Sequence, residues 1–374
     1  MSPTIAIIGG GPAGATCAWH LARAGVRTLL YERDVEREKP CGGGLTERAF
    51  TAVPMLAEVD LDWNEVGTWR MVVGDREVAV ELERPLRVVS RRDLDGVLRR
   101  EAVKAGAALV EEPVRELARM GGGGWQVNDH MADILVGAGG MKCPLAAHLG
   151  LELPKEETAV ALGRFIPGTF APEIVTAFFP AQQSYAWFFP RRDHASLGLV
   201  MPGASFNTEA AKEMMTDFAV RHLPEFNWDD MTPFGWTGPA VRDWSSARRR
   251  FAGEDWFLVG DAAGLCDVTT GEGVPYALAS GALAADAILA GDPATYEWRV
   301  RLELVPDLEK SSHLQPKFFR GWMLRAALRA LGRSGTCRRI ASELAHGEQD
   351  YLTLRDRVYR NGWRIAREFV TGRV

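Results

Sequence analysis

The sequence has no basic excess, no paired cysteines and no long apolar run, and each lack removes a class of function. Its 374 residues carry a net charge of −5, which gives no case for nucleic-acid binding, since that needs a basic stripe and a high pI. The five cysteines, Cys17, Cys41, Cys143, Cys266 and Cys337, are odd in number and scattered. No CxxC pair is present for zinc, haem or thioredoxin-like chemistry, and a reducing cytoplasm is expected. No stretch approaches 18 uninterrupted apolar residues, so no membrane span is expected. The early run Ile5 to Ile8 breaks into glycine too soon for a signal peptide. Neither HExxH nor GxSxG occurs, which argues against zincin and serine-hydrolase chemistry, and no metal site is expected.

Glycine, by contrast, is placed with purpose. Gly9-x-Gly11-x-x-Gly14 follows the apolar strand expected over Thr4 to Gly9 and opens a helix expected over Pro12 to Gly25. Gly9 makes the tight turn, Gly11 lets a pyrophosphate reach the backbone amides, and Gly14 lets helix and strand pack closely. Glu32 ends the next strand, Val26 to Glu32, and supplies the carboxylate expected on a ribose. An adenine dinucleotide is therefore expected.

The segment DWFLVGDAAGLCDVTTGEGVPYALASGALAADAIL indicates which one. A buried strand ends at Gly260-Asp261, a polar loop follows, and Gly271-Glu272-Gly273 opens an alanine-rich helix. An acid at a strand end can hold a polyol, and a helix N-terminus can stabilise negative charge on a reduced flavin ring. Those are demands of FAD, not of a simple NAD dehydrogenase. A third cluster, KPCGGGLTERAF at 39 to 50, sets Cys41 among glycines, and three in a row are costly in chain entropy.

The expected fold class is α/β: a Rossmann-like FAD-binding domain with an inserted mixed-sheet, α+β substrate domain and a helical C-terminal region. Residues 1–65, 85–155 and 242–293 are assigned to the FAD-binding domain, 66–84 and 156–241 to the substrate sheet, and 294–374 to the helical region. One helix is expected from Thr46 to about Glu58 with Thr46 as N-cap, and a strand pair over Trp69 to Leu82 turning at Gly74-Asp75. From Ala294 onward there are 16 Lys and Arg against 9 Asp and Glu, an excess suited to an anionic lipid surface, a phosphorylated substrate or a solvated helical face. Leu324, Leu328 and Leu331 share one helical face and Arg325, Arg329 and Arg333 another, compatible with a helix lying on a membrane or packed on the protein.

These motifs, with Arg91-x-x-Leu94-Asp95 and LVGAGG at 135–140, resemble the FAD-dependent fold shared by aromatic hydroxylases and the geranylgeranyl reductase family. KPCGGG and Tyr185-Ala186-Trp187-Phe188-Phe189-Pro190, similar to the YxWxFP motif of isoprenoid reductases, favour the reductase branch. The resemblance spans roughly residues 4 to 290. It implies that Gly9, Gly11, Pro12, Ala13, Gly14, Glu32, Arg33, Arg91, Gly260, Asp261, Gly273 and Val274 hold FAD. Cys41, Gly42, Gly43 and Gly271 would line the flavin, with Cys41, Tyr185 and Trp187 as the residues nearest the chemistry. Gly139-Gly140 stands where hydroxylase relatives carry an Asp-Gly pair, which counts against direct NAD(P)H binding there. Val268 replaces a common proline.

The activity this implies is reduction of C=C bonds of an isoprenoid, geranylgeranyl-type lipid or isoprenoid quinone side chain, by hydride from reduced flavin and a proton from an acid. Cys41, Tyr185, Glu272 and bound water are the candidate acids. The electron donor is NAD(P)H or ferredoxin, and peripheral membrane contact is compatible with a lipid substrate. Eight of twelve tryptophans follow residue 186, either as walls for an apolar chain, at about 0.8 kcal/mol per buried methylene, or as sheet core. The alternatives are a flavin monooxygenase or halogenase, and a quinone- or ferredoxin-linked electron-transfer flavoprotein.

Overall fold

A computed structural model describes residues 3–371 apart from 226, 247 and 248. Strands β1 (Thr4–Ile8) and β2 (Arg27–Tyr31) are short apolar runs, as expected of strands that a parallel sheet buries on both faces. Between them runs α1 (Pro12–Arg23), and after them β3 (Gly44–Leu45) and α2 (Glu47–Ala52). The single helix expected from Thr46 to Glu58 is not formed. Proline at 54 lacks an amide and drives Val53 to φ −138°, ψ 85°, so α2 stops and a 3-10 turn, Pro54–Ala57, follows. Thr46 occupies the N-cap position, but its side chain caps nothing.

The strand pair is longer than its alternation suggested: β4 (Trp63–Val73) and β5 (Arg76–Val89) form a ladder turning at Gly74-Asp75. Next come α3 (Arg91–Lys104), capped by Ser90, and β6 (Ala108–Val110). A small meander, β7 (Leu117–Arg119), β8 (Trp125–Val127) and β9 (His130–Ala132), leads to β10 (Ile134–Gly137) and α4 (Pro144–Leu149). The second sheet is completed by β11 (Thr158–Pro167), β12 (Glu173–Phe179), β13 (Ser184–Pro190), β14 (His194–Pro202) and β15 (Thr232–Pro239), with α5 (Thr208–His222) before the last of these. The chain returns to the first sheet with β16 (Trp256–Leu258) and α6 (Val274–Ala290).

Two sheets result. The first is parallel, in the order β16-β10-β1-β2-β6, so the early and late glycine segments lie near one another although about 250 residues separate them in sequence. The second has eight strands in the order β15-β11-β14-β13-β12-β4-β5-β3, antiparallel except between β12 and β4. Gly44 and Leu45 pair with β5 and thereby tie the cysteine-glycine loop to the edge of the second sheet.

The helical tail comprises α7 (Pro293–Arg299), a π-turn, α8 (Val305–Phe318), α9 (Gly321–Arg333), α10 (Gly335–Ala345), α11 (Tyr351–Arg360) and α12 (Gly362–Thr371). The last three residues of the expected helical run lie outside the described ones. Leu324, Leu328 and Leu331 of α9 are buried in one cluster with Met71, Val73, Val80 and Phe178. The apolar stripe of that basic helix thus packs on the protein. Among the described residues no helix is long and apolar enough to cross a membrane.

Candidate active site

The turn from β1 into α1 has the geometry its glycines call for. Gly9 has φ +112°, and a Cβ there would lie 2.4 Å from the Ala138 carbonyl oxygen, while one on Gly14 would lie 1.9 Å from that of Gly9. Gly11 differs: an added Cβ would find Asp95 Oδ2 at 4.0 Å and nothing nearer. No side chain caps α1, so its first amides face open space with the positive end of the helix dipole behind them. Glu32 is buried and accepts from the amides of Gly10 (2.9 Å) and Asp34 (3.0 Å). Each carboxylate oxygen retains a lone pair, as ribose recognition requires. Arg33, its neighbour, is exposed.

Behind this turn, Arg91 forms a buried, two-pronged pair with Asp95, at 2.9 and 3.0 Å. Arg99 donates to the Gly10 carbonyl at 3.1 Å. The late segment meets the first through glycine. A Cβ on Gly281 of α6 would lie 2.2 Å from the Ala13 carbonyl, and one on Gly260 would touch Ala13 and Ala277. The N-terminal turns of α1 and α6 therefore converge, bringing Pro12, Ala13 and Gly14 near Gly260. Asp261 is held by Lys39 at 2.9 Å, and the Lys39 ammonium sits 4.8 Å from the centre of the Trp236 ring. Lys39 was not singled out from sequence, although it begins the KPCGGG motif.

The cysteine-glycine loop is fixed largely by the protein itself. Gly43 has φ +92°, and its Cβ would lie 2.2 Å from the Val89 carbonyl; a Cβ on Gly42 would press on the Phe189 ring at 3.2 Å. Arg191, 2% exposed, donates to the Cys41 carbonyl (2.8 Å) and to Glu38 (2.6 Å). Burial raises the Glu38 carboxyl, but Arg191, the Ser90 hydroxyl and the Arg91 and Arg92 amides outweigh it and hold the group below its ordinary value. This clamp also escaped sequence reading. The available signal was adjacency, because Glu38 precedes KPCGGG and Arg191 directly follows Pro190.

Strand alternation turns the aromatic motif into a row. Tyr185, Trp187 and Phe189 point to one face of β13, while Ala186 and Phe188 pack on the other against α5. The Tyr185 hydroxyl donates to the Thr270 carbonyl at 2.5 Å and lies where a Gly271 Cβ would be. At the other end Phe189 lies under Gly42. Trp187, between them, covers Gly198, whose Cβ would be 2.2 Å from the ring, and donates to Ser196 at 3.1 Å. The row thus spans from the Gly271 loop to the Cys41 loop. Beside it, a small cavity of about 40 Å³ between the second sheet and the tail helices is lined by Tyr185, Val200, Met201, Val268 and Phe319 together with the polar Glu156, Thr158, Gln183, Arg242 and Gln315.

The loop before α6 carries a dense acid network. Asp267 accepts from Thr269, Thr270 and Tyr351, the last at 2.8 Å, and also from Ser311. Asp307 accepts from Arg48 (2.8 Å), Tyr276 (3.2 Å) and the Tyr351 amide (2.8 Å). Glu272 lies beside them, its carboxyl pushed up to about 7 by burial and by the neighbouring Asp267 and Asp307, against the pull of Thr46 and Arg48. Burial, with Cys266, Asp267 and Cys41 nearby, pushes the Tyr185 hydroxyl far above its ordinary range. The Gly273 N-cap and Val274, the first residue of α6, complete the loop. Gly139 and Gly140 follow β10, and a Cβ at 139 would lie 3.0 Å from the Cys143 Cα, so an aspartate would crowd that turn.

Comparison with known proteins agrees with this geometry. The family profile described as FAD dependent oxidoreductase matches residues 4–44. Geranylgeranyl diphosphate reductase of Synechocystis is 26% identical over 328 residues, covering 76% of this chain and 75% of its own. Menaquinone reductase of Mycobacterium tuberculosis is 26% identical over 332 residues, 78% of each. The chain is similar to geranylgeranyl diphosphate and menaquinone reductases over about three quarters of its length. A geranylgeranyl bacteriochlorophyll reductase-like protein of Thermoplasma acidophilum superposes with a TM-score of 0.76 at 21% identity, covering 96% of this chain and 99% of that one. The flavin-dependent brominase Bmp2 superposes at 0.70 with 18% identity, covering 97% and 100%, and shares the fold.

The cofactor of this protein is FAD, and the enzyme is an FAD-dependent oxidoreductase. The residues present fit that cofactor: the uncapped α1 N-terminus and the open space before Gly11 suit a pyrophosphate, and the buried Glu32 suits a ribose.

Proposed function

We propose that this protein reduces C=C bonds of an isoprenoid lipid, of geranylgeranyl type or as the side chain of an isoprenoid quinone. The observation that carries the reading is the aromatic row of Tyr185, Trp187 and Phe189, which joins the Cys41 loop to the Gly271 loop and offers ring faces in place of hydrogen-bond donors. An isolated alkene has no carbonyl to activate, so its binding surface must be apolar and its developing positive character is best met by ring faces. The names of the relatives support the same substrate class.

Gly9, Gly11, Pro12, Ala13 and Gly14 would hold the pyrophosphate, Glu32 the ribose, and Asp261, Gly260, Gly273 and Val274 the far half of FAD, with the exposed Arg33 at the rim and the buried Arg91 supporting the turn from behind. Residues 66–84 and 156–241 would form the substrate sheet, beside an FAD-binding domain of residues 1–65, 85–155 and 242–293. Bound and reduced, FAD supplies the hydride that one alkene carbon receives. The other carbon needs a proton, and Glu272 suits that task better than the remaining candidates. Its carboxyl is half-protonated near neutral pH, whereas the Tyr185 proton is engaged by the Thr270 carbonyl. Arg191 would keep the Cys41 carbonyl, and with it the loop backbone, at a fixed distance from the ring. Electrons would come from NAD(P)H or ferredoxin, and the Gly139-Gly140 turn counts against direct NAD(P)H binding at that place.

Anaerobic incubation of the dithionite-reduced protein with geranylgeranyl lipids and with menaquinone, followed by mass spectrometry, tests the reading. A gain of two hydrogens per reduced bond is expected. No gain with any isoprenoid, or product formation that requires oxygen, overturns it.

A further inference from the structure

An amphipathic helix on a protein surface ordinarily buries its apolar face and shows its charges to water. Helix α12 departs from this on two counts, burying a carboxylate and exposing part of its apolar face. Its carboxylate Glu368 is buried and accepts from the Ser334 hydroxyl (2.5 Å), the Thr336 amide (3.1 Å) and the Thr336 hydroxyl (2.8 Å), with Arg364 at 3.1 Å. The Ser334 and Thr336 bonds hold that carboxyl down at about 2. Outward, Trp363 is 85% and Val370 87% exposed. With Ala366, also exposed, they follow the i, i+3, i+7 spacing of one helical stripe.

The charges near this stripe are mostly basic. Arg355, Arg357, Arg360, Arg364 and Arg367 stand on α11 and α12, where Arg355 pairs with Asp356, Arg357 with Glu343 and Arg364 with the inward-turned Glu368. Elsewhere the chain is acidic: Ala294 to Val374 holds 16 Lys and Arg against 9 Asp and Glu, within a total of −5. An anionic surface would therefore attract this end and repel the remainder, which sets orientation as well as affinity. Tryptophan with flanking arginines is the composition found at membrane interfaces.

We propose that the outward stripe of α12, Trp363, Ala366 and Val370, with Arg360, Arg364 and Arg367 beside it, docks the protein on an anionic lipid bilayer. The stripe enters the headgroup boundary while Glu368 fixes the helix to Ser334 and Thr336 of the protein. The basic helix α9 is compatible from sequence with a membrane or with packing on the protein; its leucines are buried against the sheet, whereas Trp363, Ala366 and Val370 of α12 are exposed and Ile365 and Phe369 half-buried. The inference does not depend on the substrate reading, because docking requires no turnover.

The test uses the full FAD-loaded protein with vesicles of phosphatidylcholine alone and of phosphatidylcholine mixed with phosphatidylglycerol. Sedimentation with the anionic vesicles is expected, falling with added salt and accompanied by a blue shift in tryptophan emission. Trp363→Ser combined with Val370→Ser should reduce binding by about tenfold or more while leaving flavin content and melting temperature unchanged. Protein that stays in the supernatant with anionic vesicles at low salt overturns the proposal. So does a double variant that binds as well as the parent, or a concentration-dependent dimer, abolished by the double substitution, in a protein that ignores vesicles.

Discussion

The two N-terminal glycine clusters look alike in sequence and do different things in space. In Gly9 to Gly14 the outer glycines allow backbone to touch backbone, and Gly11 leaves open space before an uncapped helix. In Gly42 to Gly44 no comparable space exists: the Val89 carbonyl, the Phe189 ring and the Arg191 guanidinium occupy it. One cluster is shaped for a ligand and the other is folded tightly on its own protein. A glycine run therefore signals close approach without saying by what.

The largest expected effect breaks the first cluster. Gly11→Val should abolish the yellow colour of the purified protein while changing its melting temperature little, because the new side chain enters open space. Retained FAD would mean that the α1 N-terminus is not the pyrophosphate site. In the second cluster the order reverses, with stability suffering first. Arg191→Met removes the buried cation paired with Glu38 and the donor to the Cys41 carbonyl and should cost about 3 kcal/mol in urea unfolding, and Cys41 should become faster to alkylate as its loop loosens. An unchanged alkylation rate would show that the Val89 and Phe189 contacts suffice to hold it.

Gly43→Ala should cost ~2 kcal/mol, since φ +92° is strained for any side chain and the Val89 carbonyl lies in the way. A smaller loss than that of Gly25→Ala, which meets no neighbouring atom within 4 Å, would contradict the packing account.

The subtlest test concerns Glu272, on the loop before α6. Its folded carboxyl is raised from an ordinary 4.5 to about 7. Stability owed to this group is therefore fully present below about 4.5 and is lost as pH rises toward 7. Glu272→Gln should flatten that part of the stability profile. If Glu272 is the proton donor, reductase activity in the parent falls as pH rises through about 7, and the variant loses both rate and that limb. A variant that keeps the limb would assign it to another group.

Much of the fold was legible because its signals are local. The apolar runs of β1 and β2, the glycines flanking α1 and the return at Asp255 to Gly260 each follow from a few adjacent residues. Strand β15 was missed: Thr-Pro-Phe-Gly-Trp-Thr-Gly-Pro contains two prolines and two glycines, and it is a strand only because β11 offers it an edge. The helix expected to Glu58 failed at Pro54, a breaker that was visible but underweighted. Both amphipathic helices were written in the chain, yet which face each would bury was not.

By itself the sequence determined the parallel sheet, the dinucleotide turn and the glycine-opened α6, since each depends on backbone geometry that only certain residues allow. It also set the alternation that makes Tyr185, Trp187 and Phe189 neighbours on one face. Tertiary structure alone decided what those residues meet. Glu38 and Arg191 are 153 positions apart, Asp267 and Tyr351 are 84 apart, and the outward turn of α12 depends on a carboxylate finding Ser334 and Thr336. Such contacts arise from the packing of whole elements, where burial of apolar surface sets the arrangement and polar groups must find partners within it.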